Sequence, residues 1–176
     1  MAEVIRRAFN ALGDTGHAAS DSASFGTASE TAVWSAIEAV ELGLRDLVRK
    51  GFVAKWGAQA EEHVVDAFSE KEQAGLTDRR SRHLRAFPLA GGPVEQDSLG
   101  YLYLGDLVRL IHGPAWDQFK PVFGEKAVLD GLLRNISPVR NDRAHFRPVP
   151  EKELQRCAIA CDDILEHLKK AGAGAG

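Results

Sequence analysis

The chain is poor in cysteine and has no long apolar run. Among its 176 residues the two cysteines, Cys157 and Cys161, are too few for a disulfide framework, which indicates a reducing, cytoplasmic location. No apolar run approaches the roughly 20 residues that a transmembrane helix needs, so we expect no membrane partner. Residues 1–12 include Glu3 and Arg6 and lack the apolar middle of a signal peptide.

An excess of positive charge is also missing. The formal net charge is -3 at pH 7, whereas general nucleic-acid binders are usually basic. Because the Debye length is about 8 Å at cellular ionic strength, a local basic patch can still hold a phosphate. The composition therefore argues only weakly against a nucleic-acid partner.

The alternation of apolar and polar residues that is typical of strands is absent, and no segment is repeated. Apolar residues instead recur at the helical period, first in a long stretch that includes Val33, Ile37, Val40, Leu44 and Phe52. The hydrophobic content of 44% and the charged content of 27% are ordinary for a globular protein. We therefore predict an all-α fold, a bundle of about five or six helices around one core.

The composition divides the chain into three parts. Residues 1–28 are predicted to form a short amphipathic helix at 3–12 and then a flexible linker rich in Gly, Ala and Ser. Residues 29–170 are predicted to form the helical domain, and residues 171–176 a low-complexity tail.

Turn and capping residues set the expected helix boundaries. Gly57 should end the first long helix, and Thr77 should cap a short one. Ser137 and Pro138 are typical of an N-cap and a first helical residue, so the preceding helix should end or kink there. Leu89–Ser98 is predicted to be a loop. The predicted helices cover residues 29–56, about 58–74, 77–86, 104–111, a single turn before Pro121, 124–136 and 151–170.

The most chemically useful side chains lie in the hexad at residues 140–145, Arg-Asn-Asp-Arg-Ala-His. Asn141 and His145 are four apart and share a helical face, while Arg140 lies about 140° from His145 and has a long side chain. The three could converge on one anion, with Arg140 holding phosphate oxygens, His145 moving a proton and Asn141 orienting the imidazole. Arg and His just before a proline also suit simple helix capping, and spacing does not separate these two interpretations.

The hexad resembles the Arg-Asn-x-x-x-His motif of the HEPN superfamily (higher eukaryotes and prokaryotes nucleotide-binding). Further phrases resemble its Swt-like branch, and together they extend the resemblance over roughly residues 30 to 170. These phrases are Leu132-Leu133-Arg134-Asn135-Ile136, His145-Phe146-Arg147-Pro148-Val149-Pro150-Glu151, Tyr101-Leu102-Tyr103-Leu104-Gly105-Asp106-Leu107 with Trp116 and Phe119, Leu44-Arg45-Asp46-Leu47-Val48, and Lys55-Trp56-Gly57.

The resemblance implies a HEPN-like helical bundle that dimerises and often acts as a metal-independent endoribonuclease without a cofactor. Matched residue by residue, Arg140, Asn141 and His145 occupy the functional positions of the motif. In some relatives a tyrosine two residues after the His is modified by a partner nucleotidyltransferase. Here Arg147 stands at that position, so this form of regulation is not expected.

The resemblance and the residues together support two hypotheses about function. In the first, a toxin or defence effector cleaves RNA through the 2′-hydroxyl, giving 2′,3′-cyclic phosphate and 5′-hydroxyl ends, from a composite site between two copies of the chain. An antitoxin or regulatory partner protein would restrain it. In the second, the chain is a non-catalytic HEPN module for dimerisation or RNA binding within a larger system. A weaker third hypothesis is a regulatory protein, such as an inhibitor, docked through residues 3–12.

Other polar residues have two interpretations each. Arg143 and Arg147 lie near the proposed chemistry and are candidates for RNA phosphate contacts. A basic stretch could grip RNA or form a solvated face paired with Glu70, Glu72 and Asp78; it comprises Arg79, Arg80, Arg82, His83 and Arg85. The cysteine pair is four residues apart on an apolar helix face, which favours core packing over zinc binding, and we predict no metal site.

Overall fold

Seven α-helices and two short 3-10 turns make up the part of the chain that the structure, a computed structural model, describes, residues 30–87 and 97–173. Six of the helices have eight residues or more, and no strand occurs in these two ranges, which confirms the all-α prediction. The helices are α1 (Glu30–Trp56), α2 (Ala60–Asp66), α3 (Glu70–Ala86), α4 (Leu104–His112), α5 (Trp116–Phe123), α6 (Lys126–Ala144) and α7 (Glu151–Ala173). The turns are Gly57–Gln59 and Ser98–Tyr101.

Helix α1 lies at the centre of the bundle. It packs against α7 and α2, and α7 packs in turn against α6. Apolar residues recur in it every three or four positions and therefore form a stripe on one face. Each side chain of this stripe is at most 2% exposed. The stripe consists of Val33, Ile37, Val40, Leu44, Val48 and Phe52.

Helix α1 ends where the sequence predicts. Gly57 has a φ of +57°, in the left-handed region that glycine enters without the steric cost of a Cβ. The chain therefore leaves the helix here and passes through the first 3-10 turn to α2.

The boundary between α2 and α3 differs from the prediction of one helix over 58–74. Ser69 starts a new helix because its N–H and its hydroxyl donate to Glu72 Oε2 at 2.8 and 2.7 Å. Thr77, the predicted cap of a short helix, lies inside α3, where its hydroxyl donates to the Gln73 carbonyl oxygen at 3.0 Å. The capping signal is the Ser69–Glu72 spacing, not Thr77.

Of the two outcomes predicted at Ser137 and Pro138, the end of the helix is wrong, and a kink stays a prediction. Helix α6 runs through both residues to Ala144. A proline inside a helix loses one backbone hydrogen bond and costs about 3 kcal/mol. On either side of it Ile136 and Val139 are 0% and 4% exposed, and burying two such side chains stabilises the helix by a comparable or larger amount, about 1.5–3 kcal/mol each.

The remaining boundaries need smaller adjustments. Helix α5 continues through Pro121 to Phe123 instead of stopping before the proline, and α7 extends to Ala173. Most of the predicted loop lies outside the described residues, as do residues 1–29 with the predicted helix at 3–12, and residues 174–176. None of the described helices is long and apolar enough to cross a bilayer.

Two glycines in helices provide a matched test of the packing. A Cβ on Gly51 would meet the buried ring of Phe119, with Cζ at 2.7 Å, whereas a Cβ on Gly75 would meet nothing within 4 Å. We expect Gly51→Ala to destabilise the protein by about 1–3 kcal/mol and Gly75→Ala to stabilise it by about 0.5–1 kcal/mol. Urea unfolding measures both; a neutral Gly51→Ala would contradict the packing of α1 on α5.

The capping carboxylate of α3 gives a pH-dependent prediction. Hydrogen bonds from Ser69, together with that from Arg109, lower the pKa of Glu72 to about 2. Its contribution to stability is therefore fully present above the unfolded-state pKa of about 4.5 and is lost as the pH falls toward 2. We expect Glu72→Gln to destabilise the protein at pH 7 and to approach the wild type near pH 2. Glu70→Gln, in the same turn, is the control; an equal effect there would contradict the assignment.

Candidate functional site

The hexad forms the exposed end of α6. Residues 140–144 are helical, and His145 is the C-cap, where its N–H still donates to the Asn141 carbonyl oxygen at 3.2 Å. The two residues therefore remain one helical turn apart, as predicted. They lie on the last turn of a continuous helix, not on a new helix that begins at Ser137 and Pro138.

The chain leaves α6 through a Schellman motif, which satisfies the last carbonyl groups of the helix. Arg147 N–H donates to the Asp142 carbonyl oxygen at 2.8 Å, and Phe146 N–H donates to the Arg143 carbonyl oxygen at 3.0 Å. The left-handed residue in such a motif is usually glycine, but here it is Phe146, with a φ of 56°. A non-glycine residue in this region costs about 1–2 kcal/mol, so the end of the hexad is strained.

Arg140 points away from the tip of the helix and toward α1. Its Nε donates to Glu41 Oε1 at 2.9 Å, and the two side chains are 24% and 19% exposed. Its guanidinium carbon lies 5.8 Å from the centre of the Tyr103 ring. The ion pair, shielded from much of the solvent, fixes the cation of the hexad that is predicted to hold phosphate.

Asn141 and His145 are exposed. Within the described residues neither side chain forms a hydrogen bond or an ion pair, with Arg140 or with any other residue. The structure thus keeps these two polar groups available to solvent beside an anchored arginine. Convergence of all three on one anion stays a prediction.

The other two arginines of the region are exposed and paired with carboxylates of the same chain. Arg143 donates to Glu30 Oε1 at 2.7 Å, and Arg147 donates to Asp142 Oδ1 at 3.3 Å. Exposed pairs of this kind contribute about 0–1 kcal/mol. They can therefore be exchanged for phosphate contacts at little cost, and the predicted RNA-binding role of both residues stays open.

A row of polar residues on α1 holds the segment before α4. Arg45 donates to the Leu99 and Leu102 carbonyl oxygens at 2.8 and 3.3 Å. Four residues later, Arg49 donates twice to Asp97, at 2.9 and 2.8 Å. Burial lowers the pKa of the Arg45 guanidinium below its usual value. With Glu41, one turn earlier, this row ties Arg140 and the Tyr103 segment to the same helix.

Beside Arg140 an open pocket of about 490 Å³ contains residues of the basic stretch of α3. Arg79 places its guanidinium carbon 4.5 Å from the centre of the Tyr103 ring. Arg82 also lines the pocket and pairs with Asp78 at 2.6 Å, as the solvated-face interpretation predicts, whereas Glu72 pairs with Arg109 instead. Part of the stretch thus forms a pocket wall, and its exposed member Arg82 is also salt-bridged on the surface.

The cysteine pair lies in the core. Cys157 and Cys161 are both 0% exposed on α7. The hydrogen bond between the two thiols lowers the pKa of Cys157 and, together with burial, raises the pKa of Cys161. In the described ranges no group of three or more His, Cys, Asp and Glu side chains is arranged to hold a metal ion.

No family model, curated protein or solved structure matches the chain. A functional assignment therefore depends on the geometry of the hexad and its neighbours.

Sequence reasoning did not identify Glu41 and Tyr103 as partners of Arg140. Glu41 is 99 residues away along the chain, and no local spacing links the two. The only available signal was the position of Glu41 one turn before Arg45, next to the apolar stripe of α1. Tyr103 belongs to a phrase of the resemblance, which gives it no role.

Replacing the strained residue after the hexad should stabilise the protein. Because Phe146 is 92% exposed, its ring contributes little packing, and Phe146→Gly should relieve the backbone and raise the free energy of unfolding by about 1 kcal/mol. Phe146→Ala removes the ring but keeps the strain and is the matched control. Urea unfolding that shows no difference between the two variants would contradict the left-handed conformation.

Proposed function

We propose that the chain is a metal-independent endoribonuclease of the toxin or defence-effector type, with its composite site at a homodimer interface. The hexad of each copy supplies Arg140, Asn141 and His145. RNA is cleaved by its own 2′-hydroxyl, which attacks the adjacent phosphorus while the bond to the 5′-oxygen breaks. The products carry 2′,3′-cyclic phosphate and 5′-hydroxyl ends.

The observation that carries the proposal is the division of the hexad into an anchored cation and two unengaged polar groups. Arg140 is held by Glu41 in a half-buried ion pair. Asn141 and His145 stay exposed and, within the described residues, make no side-chain hydrogen bond. A histidine used only for helix capping would bond a terminal carbonyl, whereas an imidazole that moves protons needs the accessibility seen here.

The chemistry requires two proton transfers. A base takes the proton of the 2′-hydroxyl, and an acid gives a proton to the departing 5′-oxygen. One imidazole can hardly do both in one step, so a second copy related by a two-fold axis supplies the other. General acid–base catalysis contributes about 10²–10⁴-fold, and the two Arg140 guanidiniums stabilise the negative charge that develops on the non-bridging phosphate oxygens.

The arrangement of the remaining phrases also supports this function. Arg45, Tyr103 and Arg140 come from three separate phrases of the resemblance. In the fold, Arg45 and Tyr103 line one pocket, and the guanidinium of Arg140 contacts the Tyr103 ring. Residues far apart in the sequence therefore gather next to the hexad, as a site for a phosphodiester substrate requires.

A second candidate, a non-catalytic dimerisation or RNA-binding scaffold, is favoured by the ion pairs of the hexad region. Arg140, Arg143 and Arg147 each face a carboxylate of the same chain. These pairs neutralise the cations in the isolated chain, and the net charge of -3 adds no long-range attraction for RNA. As a scaffold, the protein would use the hexad only to stabilise the end of α6.

An RNA cleavage assay separates the two candidates. We expect purified protein to yield cyclic-phosphate ends in the presence of EDTA, and His145→Ala or Arg140→Ala to lower the rate at least about 10²-fold. Arg156→Ala removes an exposed, salt-bridged arginine of α7 and should leave the rate unchanged. The scaffold hypothesis predicts no cleavage that depends on His145, and loss of cleavage in EDTA would contradict a metal-independent mechanism.

Mixing active and inactive chains tests the composite site within the same assay. When wild type and His145→Ala are mixed equally and allowed to exchange, about a quarter of the dimers carry two histidines. A site that needs both histidines then loses about three quarters of the activity shown by the same total amount of pure wild type. A loss of about half would mean that each chain acts alone, and would contradict the two-histidine mechanism.

A further inference from the structure

Next to the hexad, the pocket of about 490 Å³ has features that the cleavage chemistry does not use. Its walls come from α1, α3 and the segment that joins the second 3-10 turn to α4. Three arginines and two tyrosines are among its lining residues. Its charged and aromatic residues include Glu41, Arg45, Arg79, Arg82, Tyr101 and Tyr103.

Arg79 has a donor that the described residues do not use. Its Nε is buried and has no hydrogen-bond partner there, while its Nη2 lies 3.8 Å from Asp106 Oδ2, beyond hydrogen-bond distance. Asp106 instead accepts the Tyr103 N–H at 3.0 Å. With its nearest carboxylate this far away, the Arg79 guanidinium keeps Nη donors for the anionic oxygens of a ligand in this pocket.

Tyr103 provides an aromatic surface at the same place. The residue is 52% exposed although it is the N-cap of α4. The guanidinium carbons of Arg79 and Arg140 lie 4.5 and 5.8 Å from the centre of its ring. Bases in single strands stack on such rings and on guanidinium planes. The wall thus combines hydrogen-bond donors for a phosphate with an aromatic ring for base stacking, and that ring contacts Arg140 of the hexad.

The charges inside the pocket are already partly committed. Glu41 is occupied by Arg140, and Arg45 by two carbonyl oxygens. These contacts hold the walls in place. An incoming anion would meet Arg79, whose ion pair with Asp106 is loose at 3.8 Å, and Arg82, whose exposed pair with Asp78 can be exchanged at little cost. Arginine is suited to this because its planar fork matches two phosphate oxygens.

We infer that this pocket is a subsite for one nucleotide of single-stranded RNA, with the phosphate on Arg79 and Arg82 and the base against Tyr103. A nucleotide held there places the next phosphate of the strand toward Arg140. The inference rests on the proposed ribonuclease function, because only a ribonuclease would cleave the strand at the phosphate next to Arg140. Binding in the pocket can be measured without cleavage, and RNA fits better than a phosphorylated peptide because a base uses the aromatic wall.

The test is a binding titration with a fluorescein-labelled oligouridylate of about eight nucleotides, a length within the usual site size of single-strand binders. His145→Ala is the background, so that the probe is not cut. Tyr103→Leu should weaken binding about 5- to 100-fold, the loss expected for one stacked base, and Tyr103→Phe should bind like the background. Equal binding by Tyr103→Leu would overturn the stacking assignment.

The phosphate contacts are tested with a matched pair of arginines. Arg82 and Arg156 are both exposed and both paired within their own helices, but only Arg82 lines the pocket. Arg82→Ala should weaken binding and lower the slope of log affinity against log salt by about 0.7, as for one lost phosphate contact on a single strand. Arg156→Ala should change neither. Equal effects of the two would mean general electrostatic attraction and would overturn the pocket.

Arg79→Lys tests whether Arg79 binds the phosphate through two hydrogen bonds, because lysine keeps the charge and lacks the planar guanidinium fork. It should bind more weakly than the background while its thermal unfolding stays cooperative; binding equal to the background would overturn a bidentate contact. A phosphoserine peptide should not displace the RNA, and displacement dependent on Tyr103 would assign the pocket to protein ligands.

The inference and the proposed function fail in different ways. RNA binding through Tyr103 together with a wild type that never cleaves RNA would sustain the subsite and refute the ribonuclease. Cleavage that depends on His145 but has an unchanged KM in Arg82→Ala and Tyr103→Leu would sustain the ribonuclease and refute the subsite.

Discussion

Burial of the apolar stripe of α1 is the constraint on which the rest of the structure depends. Once the apolar stripe between Val33 and Phe52 faces the core, the helical period also fixes where the neighbouring polar residues point. Glu41, Arg45 and Arg49 succeed one another at four-residue intervals and form a row beside the stripe. Together they hold two segments: Glu41 holds α6, while the two arginines hold residues 97–102. A packing interaction thereby determines the position of a charged site.

The end of α6 shows how the same packing overrides local preference. Pro138 interrupts the backbone hydrogen bonds, yet the buried Ile136 and Val139 keep the helix continuous across it. The hexad is consequently the end of a long helix and not an independent turn. Strain collects just beyond it, at Phe146, whose left-handed conformation turns the chain away from the helix after the C-cap residue His145.

Helical periodicity was sufficient to predict the fold class and the course of α1 and α7, because both helices bury one continuous face. It failed where two effects compete at one residue. At Ser69 a capping box outweighs a continuing apolar pattern, and at Pro138 burial outweighs the loss of a hydrogen bond. For the site, spacing identified the hexad, but the pairing of Arg140 with a residue 99 positions away depends on tertiary packing that no local pattern contains.

The Glu41–Arg140 pair bears on how a cationic site can exist in an acidic chain. A carboxylate next to an arginine that is proposed to bind phosphate reduces its attraction for anions, but it also removes the conformational entropy of a long side chain, about 1.5–2 kcal/mol. Because Glu41 bonds Nε, it constrains the stem of Arg140, and the guanidinium carbon lies 5.8 Å from the centre of the Tyr103 ring, which lines the pocket. Local orientation thus compensates for the absence of long-range charge, and binding would depend on geometry more than on net charge.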